Sequence, residues 1–187
     1  MGSNPGRHPD YEAAARSFAR LLVARGLGLV YGGARIGLMG AVAEEVAAQG
    51  GDVIGVIPQG LVDREVAATD LADLRVVGSM HERKALMAEL CDGFVALPGG
   101  LGTFEELFEI LTWSQLGLHS KPCGALDVRR YYTGLGTFLD HAVAEGFLTR
   151  ASRELLLIDD DSETLLDRLG AWQPPGFTKW LADESES

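Results

Sequence analysis

The stretch Pro98-Gly99-Gly100-Leu101-Gly102-Thr103-Phe104-Glu105-Glu106 decides how this chain folds. Residues 93–97 before it form a short apolar run typical of a strand, and residues 107–113 after it have the spacing of an amphipathic helix. The glycines let the backbone approach a ligand closely, and the N–H groups at a helix start favour a phosphate. Ligands of parallel α/β sheets bind beyond the carboxyl ends of the strands. The stretch therefore predicts a strand, a phosphate-binding loop and a helix.

A structural alternative for the same residues is a connecting turn followed by a helix cap. Thr103 and Glu106 have the spacing of a capping box, with Thr103 as the N-cap and Glu106 three residues later. The cap requires only one acid, whereas the sequence supplies two adjacent ones, Glu105 and Glu106. Strand-to-helix connections are usually about two to six residues long and rarely so rich in glycine. These features favour a functional loop.

The composition is that of an acidic globular protein. Of 187 residues, 47% are hydrophobic and 23% are charged, and the net charge is -11. This charge argues against a nucleic-acid backbone or an anionic membrane as a partner. The two cysteines, Cys91 and Cys123, imply neither a disulfide framework nor a thiolate zinc site, and we predict no metal. The sequence shows no signal peptide and no long apolar span, so we expect a cytoplasmic protein.

Strand and helix patterns alternate along the chain, which predicts one α/β domain with a mostly parallel sheet. We expect a single nucleotide-binding domain over residues 1–172 and a polar tail over 173–187. Strands are predicted at 26–31, 51–57, 74–77, 93–97, 122–126 and 157–158. Helices are predicted at 11–25, 41–49, 80–90, 107–113, 131–145 and 162–169, with a helical turn at 152–156 and irregular or weakly helical structure over 59–73. A second glycine loop, residues 32–40, follows the first of these strands.

The predicted helix from Met80 carries an arginine in an unusual position. Ser79 and Glu82 form a further capping box, so we assign Glu82 a structural role. On a helical wheel Arg83 lies within the apolar stripe, where a guanidinium needs a partner. It is either a snorkelling or ion-paired structural residue or an arginine held in a cleft for a ligand. His81 lies roughly opposite the stripe and is expected to be solvated.

Three motifs in this order resemble the Lonely Guy (LOG) family of cytokinin riboside 5′-monophosphate phosphoribohydrolases. They are Tyr31-Gly32-Gly33-x-x-x-Gly37-Leu38-Met39-Gly40, Met80-His81-Glu82-Arg83-Lys84 and Pro98-Gly99-Gly100-x-Gly102-Thr103-x-x-Glu106. The resemblance implies a Rossmann-like sheet with helices on both faces and a homodimer. It also implies hydrolysis, without cofactor or metal, of adenosine 5′-monophosphate (AMP) or its N6-prenylated form to the free base and ribose 5-phosphate.

The same resemblance implies roles for individual residues. Arg83 and Glu106 are expected to be catalytic. The substrate-binding residues are expected to be Ser3, Gly32, Gly33, Met39, Glu65, Met80, Lys84, Gly99, Gly100, Leu101, Gly102, Thr103, Glu105 and Thr112.

The chain also departs from the family pattern in two places. Ala34 replaces a third glycine of the first loop. The apolar first strand of the family is expected to be missing here, because only Met1 precedes the loop formed by residues 2–6.

Cleavage of an N-glycosidic bond builds positive oxocarbenium charge on the ribose, which a carboxylate such as Glu106 can stabilise. Arg83 could stabilise the departing base or keep Glu106 ionised, and the sequence leaves both roles open. One alternative function is a non-catalytic nucleotide-binding protein of the same superfamily. Another is an amino-acid decarboxylase that uses pyridoxal phosphate, for which Lys84 would have to supply the Schiff base.

Overall fold

The computed structural model describes residues 4–62 and 71–175. Contacts divide the chain into two compact units. The first contains the described residues up to Cys91 together with Gly99–Thr103, and the second contains Asp92–Pro98 and the residues from Phe104 onward. The single domain predicted over residues 1–172 stays a prediction.

The first unit is a parallel three-stranded sheet, in the order β1-β2-β3, with helices between its strands. Tyr31 of β1 pairs with Gly55 of β2, and Pro58 of β2 pairs with Val77 of β3. The elements are α1 (Pro9–Ala24), β1 (Leu29–Tyr31), α2 (Gly37–Ala48), β2 (Val53–Pro58), α3 (Gln59–Val62), β3 (Asp73–Val77) and α4 (Met80–Leu90).

Helices α1 and α2 pack against each other and supply much of the core of the first unit. Phe18 and Leu22 of α1 and Leu38, Val42 and Val46 of α2 are all buried. Burial of such side chains contributes about 1.5–3 kcal/mol each. The glycine loop between β1 and α2 leads directly into this packed pair of helices.

The second unit is also a parallel three-stranded sheet, in the order β4-β5-β6. Its core includes Leu107 of the long helix α5, Tyr132 and Leu156. The elements are β4 (Phe94–Ala96), α5 (Leu101–Gln115), β5 (Cys123–Leu126), a 3-10 turn (Val128–Arg130), α6 (Thr133–Ala144), α7 (Arg150–Arg153), β6 (Leu156–Asp159) and α8 (Ser162–Gly170). By their contacts, the first three residues of α5 belong to the first unit.

Two buried polar groups connect the strand ends of the second unit. The carboxylate of Asp127, just beyond β5, accepts hydrogen bonds from the N–H groups of Tyr132 and Thr133 and so caps the start of α6. The hydroxyl of Tyr132 donates to the carbonyl of Leu97 at 2.7 Å. Burial raises the pKa of this phenol, which therefore stays protonated and able to donate. The segments that follow β4 and β5 are thus joined at the same edge of the sheet.

Alternation of parallel strands and helices confirms the predicted α/β class. The described strands form two three-stranded sheets where one mostly parallel sheet was predicted. Hydrophobic periodicity predicts where strands occur but carries no information on which strands pair. In the parts of the chain that the structure describes, no helix is long and apolar enough to span a bilayer.

Two predicted helix starts were wrong. Helix α2 begins at Gly37 rather than Ala41, and α5 begins at Leu101 rather than after Thr103. Glycine is typical of loops, yet Gly40 lies inside α2. An added Cβ at this position would lie 2.1 Å from the carbonyl oxygen of Arg35, so only glycine fits there. Thr103 is not the N-cap of α5, since its own N–H already donates to the carbonyl of Gly100 at 3.0 Å.

Candidate active site

Arg83 is the central polar residue of the first unit. It lies in the first turn of α4 and is the one fully buried residue of that helix, with 3% of its surface exposed. Its Nε donates to the carbonyl of Val56 at 3.0 Å, and its Nη2 donates to the carbonyl of Gly32 at 3.1 Å. Hydrogen bonds from a charged donor are roughly twice as strong as hydrogen bonds between neutral groups. The predicted need of Arg83 for a partner is confirmed, and the partners are backbone carbonyls of β2 and of the first glycine loop.

The start of α4 holds Arg83 in place. The hydroxyl of Ser79 accepts from the N–H of Glu82 at 3.1 Å, as the predicted capping box requires. The carboxylate of Glu82 accepts from the N–H of Gly78 at 2.8 Å, one residue before the N-cap. The structural role predicted for Glu82 is therefore confirmed, and His81 is exposed as predicted.

Gly32 and Met39 are brought together with Arg83. A Cβ added to Gly32 would lie 1.8 Å from Nη2 of Arg83 and 2.9 Å from Sδ of Met39, so no side chain fits there. Gly33 has a φ of +71°, in the left-handed region that favours glycine. Met80 is more than two-fifths exposed, and its sulfur lies 3.7 Å from Nη1 of Arg83. The first unit thus gathers several residues that the resemblance assigned to substrate binding, and that role stays a prediction.

The second glycine loop differs from the first because two of its glycines have empty space where a side chain would lie. A Cβ added to Gly100 or to Gly102 would meet no heavy atom within 4 Å. Leu101 beside them is 87% exposed, whereas Thr103 is 4% exposed. The protein itself leaves this space at the N-terminus of α5, where helix N–H groups favour an anion. The arrangement fits a loop whose glycines make room for a ligand.

The remaining assigned residues on α5 belong to the second unit. Glu105 is exposed, Glu106 is half-buried, and Oε1 of Glu106 is buried from solvent. Thr112 is exposed, and its hydroxyl donates to the carbonyl of Phe108 at 2.7 Å. Arg83 belongs to the first unit and Glu106 to the second, so their action on one substrate stays a prediction. Of the other assigned residues, Lys84 is half-buried. Gly99 is among the described residues, whereas Ser3 and Glu65 lie outside them.

His119 lines a cavity of about 390 Å³ in the second unit, together with Ser114, Gly117, Leu118, Ser120, Pro174 and Pro175. Its Nε2 bonds the carbonyl of Ile110 at 2.9 Å, and its Nδ1 accepts from the N–H of Lys121 at 3.1 Å. Burial lowers the pKa of the imidazole, which favours the neutral form. Both ring nitrogens serve the fold. Among residues 4–62 and 71–175, no group of three or more His, Cys, Asp or Glu side chains is placed to hold a metal ion.

Comparison with protein families relates this chain to a known group. A family model described as "Possible lysine decarboxylase" matches residues 39–169. The chain is 47% identical over 174 residues to the probable cytokinin riboside 5′-monophosphate phosphoribohydrolase LOGL5 of Oryza sativa subsp. japonica, covering 93% of this chain and 71% of that protein. It is 50% identical over 163 residues to the cytokinin riboside 5′-monophosphate phosphoribohydrolase of Rhodococcoides fascians, covering 87% and 82%.

Solved structures with a similar fold include the molybdenum cofactor carrier protein of Chlamydomonas reinhardtii. It has a TM-score of 0.67 and 21% identity, with 92% of this chain and 96% of that chain covered. The molybdenum cofactor binding protein of Rippkaea orientalis has a TM-score of 0.67 and 19% identity, covering 91% and 93%. At this level of identity the likeness shows a shared fold alone.

The close approach of the Arg83 guanidinium to Gly32 predicts the effect of adding one methyl group at position 32. Gly32→Ala should displace the guanidinium of Arg83 and lower the free energy of unfolding by about 1–3 kcal/mol. Urea unfolding measures this change. The control is Gly28→Ala, whose Cβ would make an ordinary 3.5 Å contact with Asp52. Equal stability of the two variants would contradict the close approach of Arg83 to Gly32.

The open space at Gly102 predicts opposite effects on stability and binding. Gly102→Ala should raise helix stability by about 0.5–1 kcal/mol and weaken binding of AMP, because the methyl group occupies the ligand's space. Gly134 is a matched control, since it is also the second residue of a helix and also open. Thermal unfolding and calorimetric titration of both variants separate the two effects. Unchanged AMP affinity in a stabilised Gly102→Ala variant would show that the loop is only a connection.

Proposed function

Because this chain belongs to the LOG family, we propose that it hydrolyses the N-glycosidic bond of adenosine 5′-monophosphates. The products are the free base, a cytokinin when N6 is modified, and ribose 5-phosphate. The observation that carries the proposal is the identity of 44–50% to phosphoribohydrolases of this name from plants and a bacterium, over about nine-tenths of the chain. The substrates are AMP and N6-prenylated AMP.

The phosphate of the nucleotide binds at the start of α5. The open positions Gly100 and Gly102 admit it, and the N–H groups of the first helical turn donate to it. Binding energy from this remote group orients the ribose for reaction and supports the chemistry at C1′. A nucleoside without phosphate forgoes that energy and is a poor substrate.

Glu106 stabilises the positive charge that develops on the ribose. As the C1′–N9 bond lengthens, charge spreads over C1′ and the ring oxygen. A carboxylate with one oxygen shielded from water interacts with this charge more strongly than a fully solvated one. Glu106 is therefore proposed as a catalytic residue.

Arg83 combines a structural and a catalytic task in this proposal. Its bonds to Gly32 and Val56 fix the loop after β1. Its proposed catalytic task is donation from the guanidinium to the departing base of a bound nucleotide.

We further propose that the protein is a cytoplasmic homodimer that works without a cofactor. These proposals follow from the family resemblance. Light scattering coupled to gel filtration measures the oligomeric state directly.

The reaction is tested by incubating the protein with AMP or isopentenyladenosine monophosphate in the presence of a chelator. Chromatography should detect free base and ribose 5-phosphate in equal amounts. The matching nucleosides should react much more slowly. Release of inorganic phosphate would instead identify a phosphatase, and equal turnover of nucleoside and nucleotide would overturn the phosphate argument.

The catalytic role of Glu106 predicts a defect that a structural role would not produce. Glu106→Gln should retain the fold and bind AMP, yet lose on the order of 10²–10⁴ in kcat, because Gln carries no negative charge. Glu105→Gln is the matched comparison: Glu105 is adjacent, exposed and assigned to binding, so this substitution should change KM more than kcat. Steady-state kinetics and thermal unfolding report the two properties separately. A folded Glu106→Gln variant with nearly full activity would show that Glu106 is not catalytic.

The family description also names lysine decarboxylation. That reaction would require a Schiff base between pyridoxal phosphate and a lysine, and Lys84 is the residue that the sequence offers. Production of cadaverine from lysine, with an aldimine absorbance that Lys84→Ala abolishes, would replace the hydrolase proposal.

A further inference from the structure

One buried side chain contacts the residues on both sides of the loop formed by residues 98–103. The hydroxyl of Tyr132 donates to the carbonyl of Leu97, directly before this loop, at 2.7 Å. The Tyr132 ring packs edge-on against the ring of Phe104, directly after the loop, with the ring centroids 6.3 Å apart. Tyr132 is fully buried, and all three residues belong to the second unit. The 98–103 loop is therefore held at both ends by the same residue.

The hydrogen bond to Leu97 forms where the chain leaves the sheet. Strand β4 ends at Ala96, which is also its last residue paired with β5. A backbone carbonyl inside a protein requires a hydrogen-bond donor, and at Leu97 a side chain supplies one. The Tyr132 hydroxyl thus helps to fix the direction in which the 98–103 loop leaves β4.

The turn that precedes Tyr132 has a costly backbone conformation. Arg129 and Arg130 have φ angles of 55° and 60°, in the left-handed region that disfavours residues with a side chain. Both arginines are exposed, so burial of their side chains does not account for the conformation. Contacts that fix the turn include those of Asp127, whose carboxylate accepts from the N–H groups of Tyr132 and Thr133. Strain that surrounding contacts maintain is typical of functional sites, which favours a functional reason for the placement of Tyr132.

Resting on the hydrolase function above, we propose that Tyr132 is a positioning residue, which holds the 98–103 loop in the conformation that receives the phosphate of the nucleotide. It acts through Leu97 and Phe104 and does not itself touch the substrate. A loop that is already held at both ends loses little conformational entropy when a ligand binds. A loosened loop must be ordered during binding, which lowers the affinity for phosphorylated ligands.

The test removes only the hydroxyl, by Tyr132→Phe in the full chain. The variant keeps the ring that packs against Phe104 and loses the donor to Leu97, so its melting temperature should fall by about 2–6 °C. Well below that temperature, KM for AMP and the Kd of ribose 5-phosphate should each rise about tenfold. Ribose 5-phosphate carries the phosphate but no glycosidic bond to the base, so calorimetric titration with it measures binding without reaction.

Ser152→Ala is the matched control, because it also removes one buried hydroxyl from the second unit. The hydroxyl of Ser152, in α7, forms a 2.7 Å hydrogen bond with the hydroxyl of Thr149. The N–H of Ser152, which donates to the same Thr149 oxygen, is kept in the variant. Ser152→Ala should lower the melting temperature by a similar amount and leave KM for AMP and the Kd of ribose 5-phosphate unchanged.

The outcomes separate this proposal from the hydrolase function. Unchanged KM and Kd in Tyr132→Phe, in a protein whose unmodified form releases base, overturn the role of Tyr132 and leave the hydrolase function standing. Equal rises in Ser152→Ala show that Tyr132 acts through stability alone. If the unmodified protein binds ribose 5-phosphate but releases no base, the hydrolase function alone is overturned, and the Kd of Tyr132→Phe still decides the positioning role. Absence of both base release and binding overturns both.

Discussion

The first unit depends on one buried cation that bonds to backbone carbonyls. The guanidinium of Arg83 donates to Gly32 and Val56, which lie at the end of β1 and within β2. A buried charge must be paired or hydrogen-bonded to be tolerated, and here two of the partners are carbonyls of the main chain. Helix α4, the two strands and the loop after β1 are thereby fixed relative to one another. Gly32 is glycine because this guanidinium occupies the place of its side chain.

The two glycine loops have different physical reasons for their composition. In the first, protein atoms exclude a side chain at Gly32, and the backbone of Gly33 has a positive φ. In the second, Gly100 and Gly102 have empty space where a Cβ would lie. The first loop is therefore glycine-rich for packing, and the second is glycine-rich in a way that packing does not require. This contrast is the structural basis for assigning ligand binding to the start of α5.

Much of the fold and part of the site could be predicted from the sequence. The bounds of α4 and the burial of Arg83 follow from a capping box and from helical periodicity, both of which are local signals. The helix starts at Gly37 and Leu101 do not follow from the sequence, because glycine is typical of loops. Close packing requires glycine at position 40, and the first turn of α5 leaves open space at Gly102. Strand pairing is a long-range property, so the division into two sheets had no local signal.

The central claim is that Arg83 acts through its planar, multiply bonded guanidinium rather than through charge alone. Arg83→Lys keeps the charge but removes the fork that reaches two carbonyls. Thermal unfolding and kcat/KM for AMP, measured on the same preparation, test the claim directly. We expect both the melting temperature and kcat/KM to fall. A variant with the melting temperature and kcat/KM of the unmodified protein would contradict it.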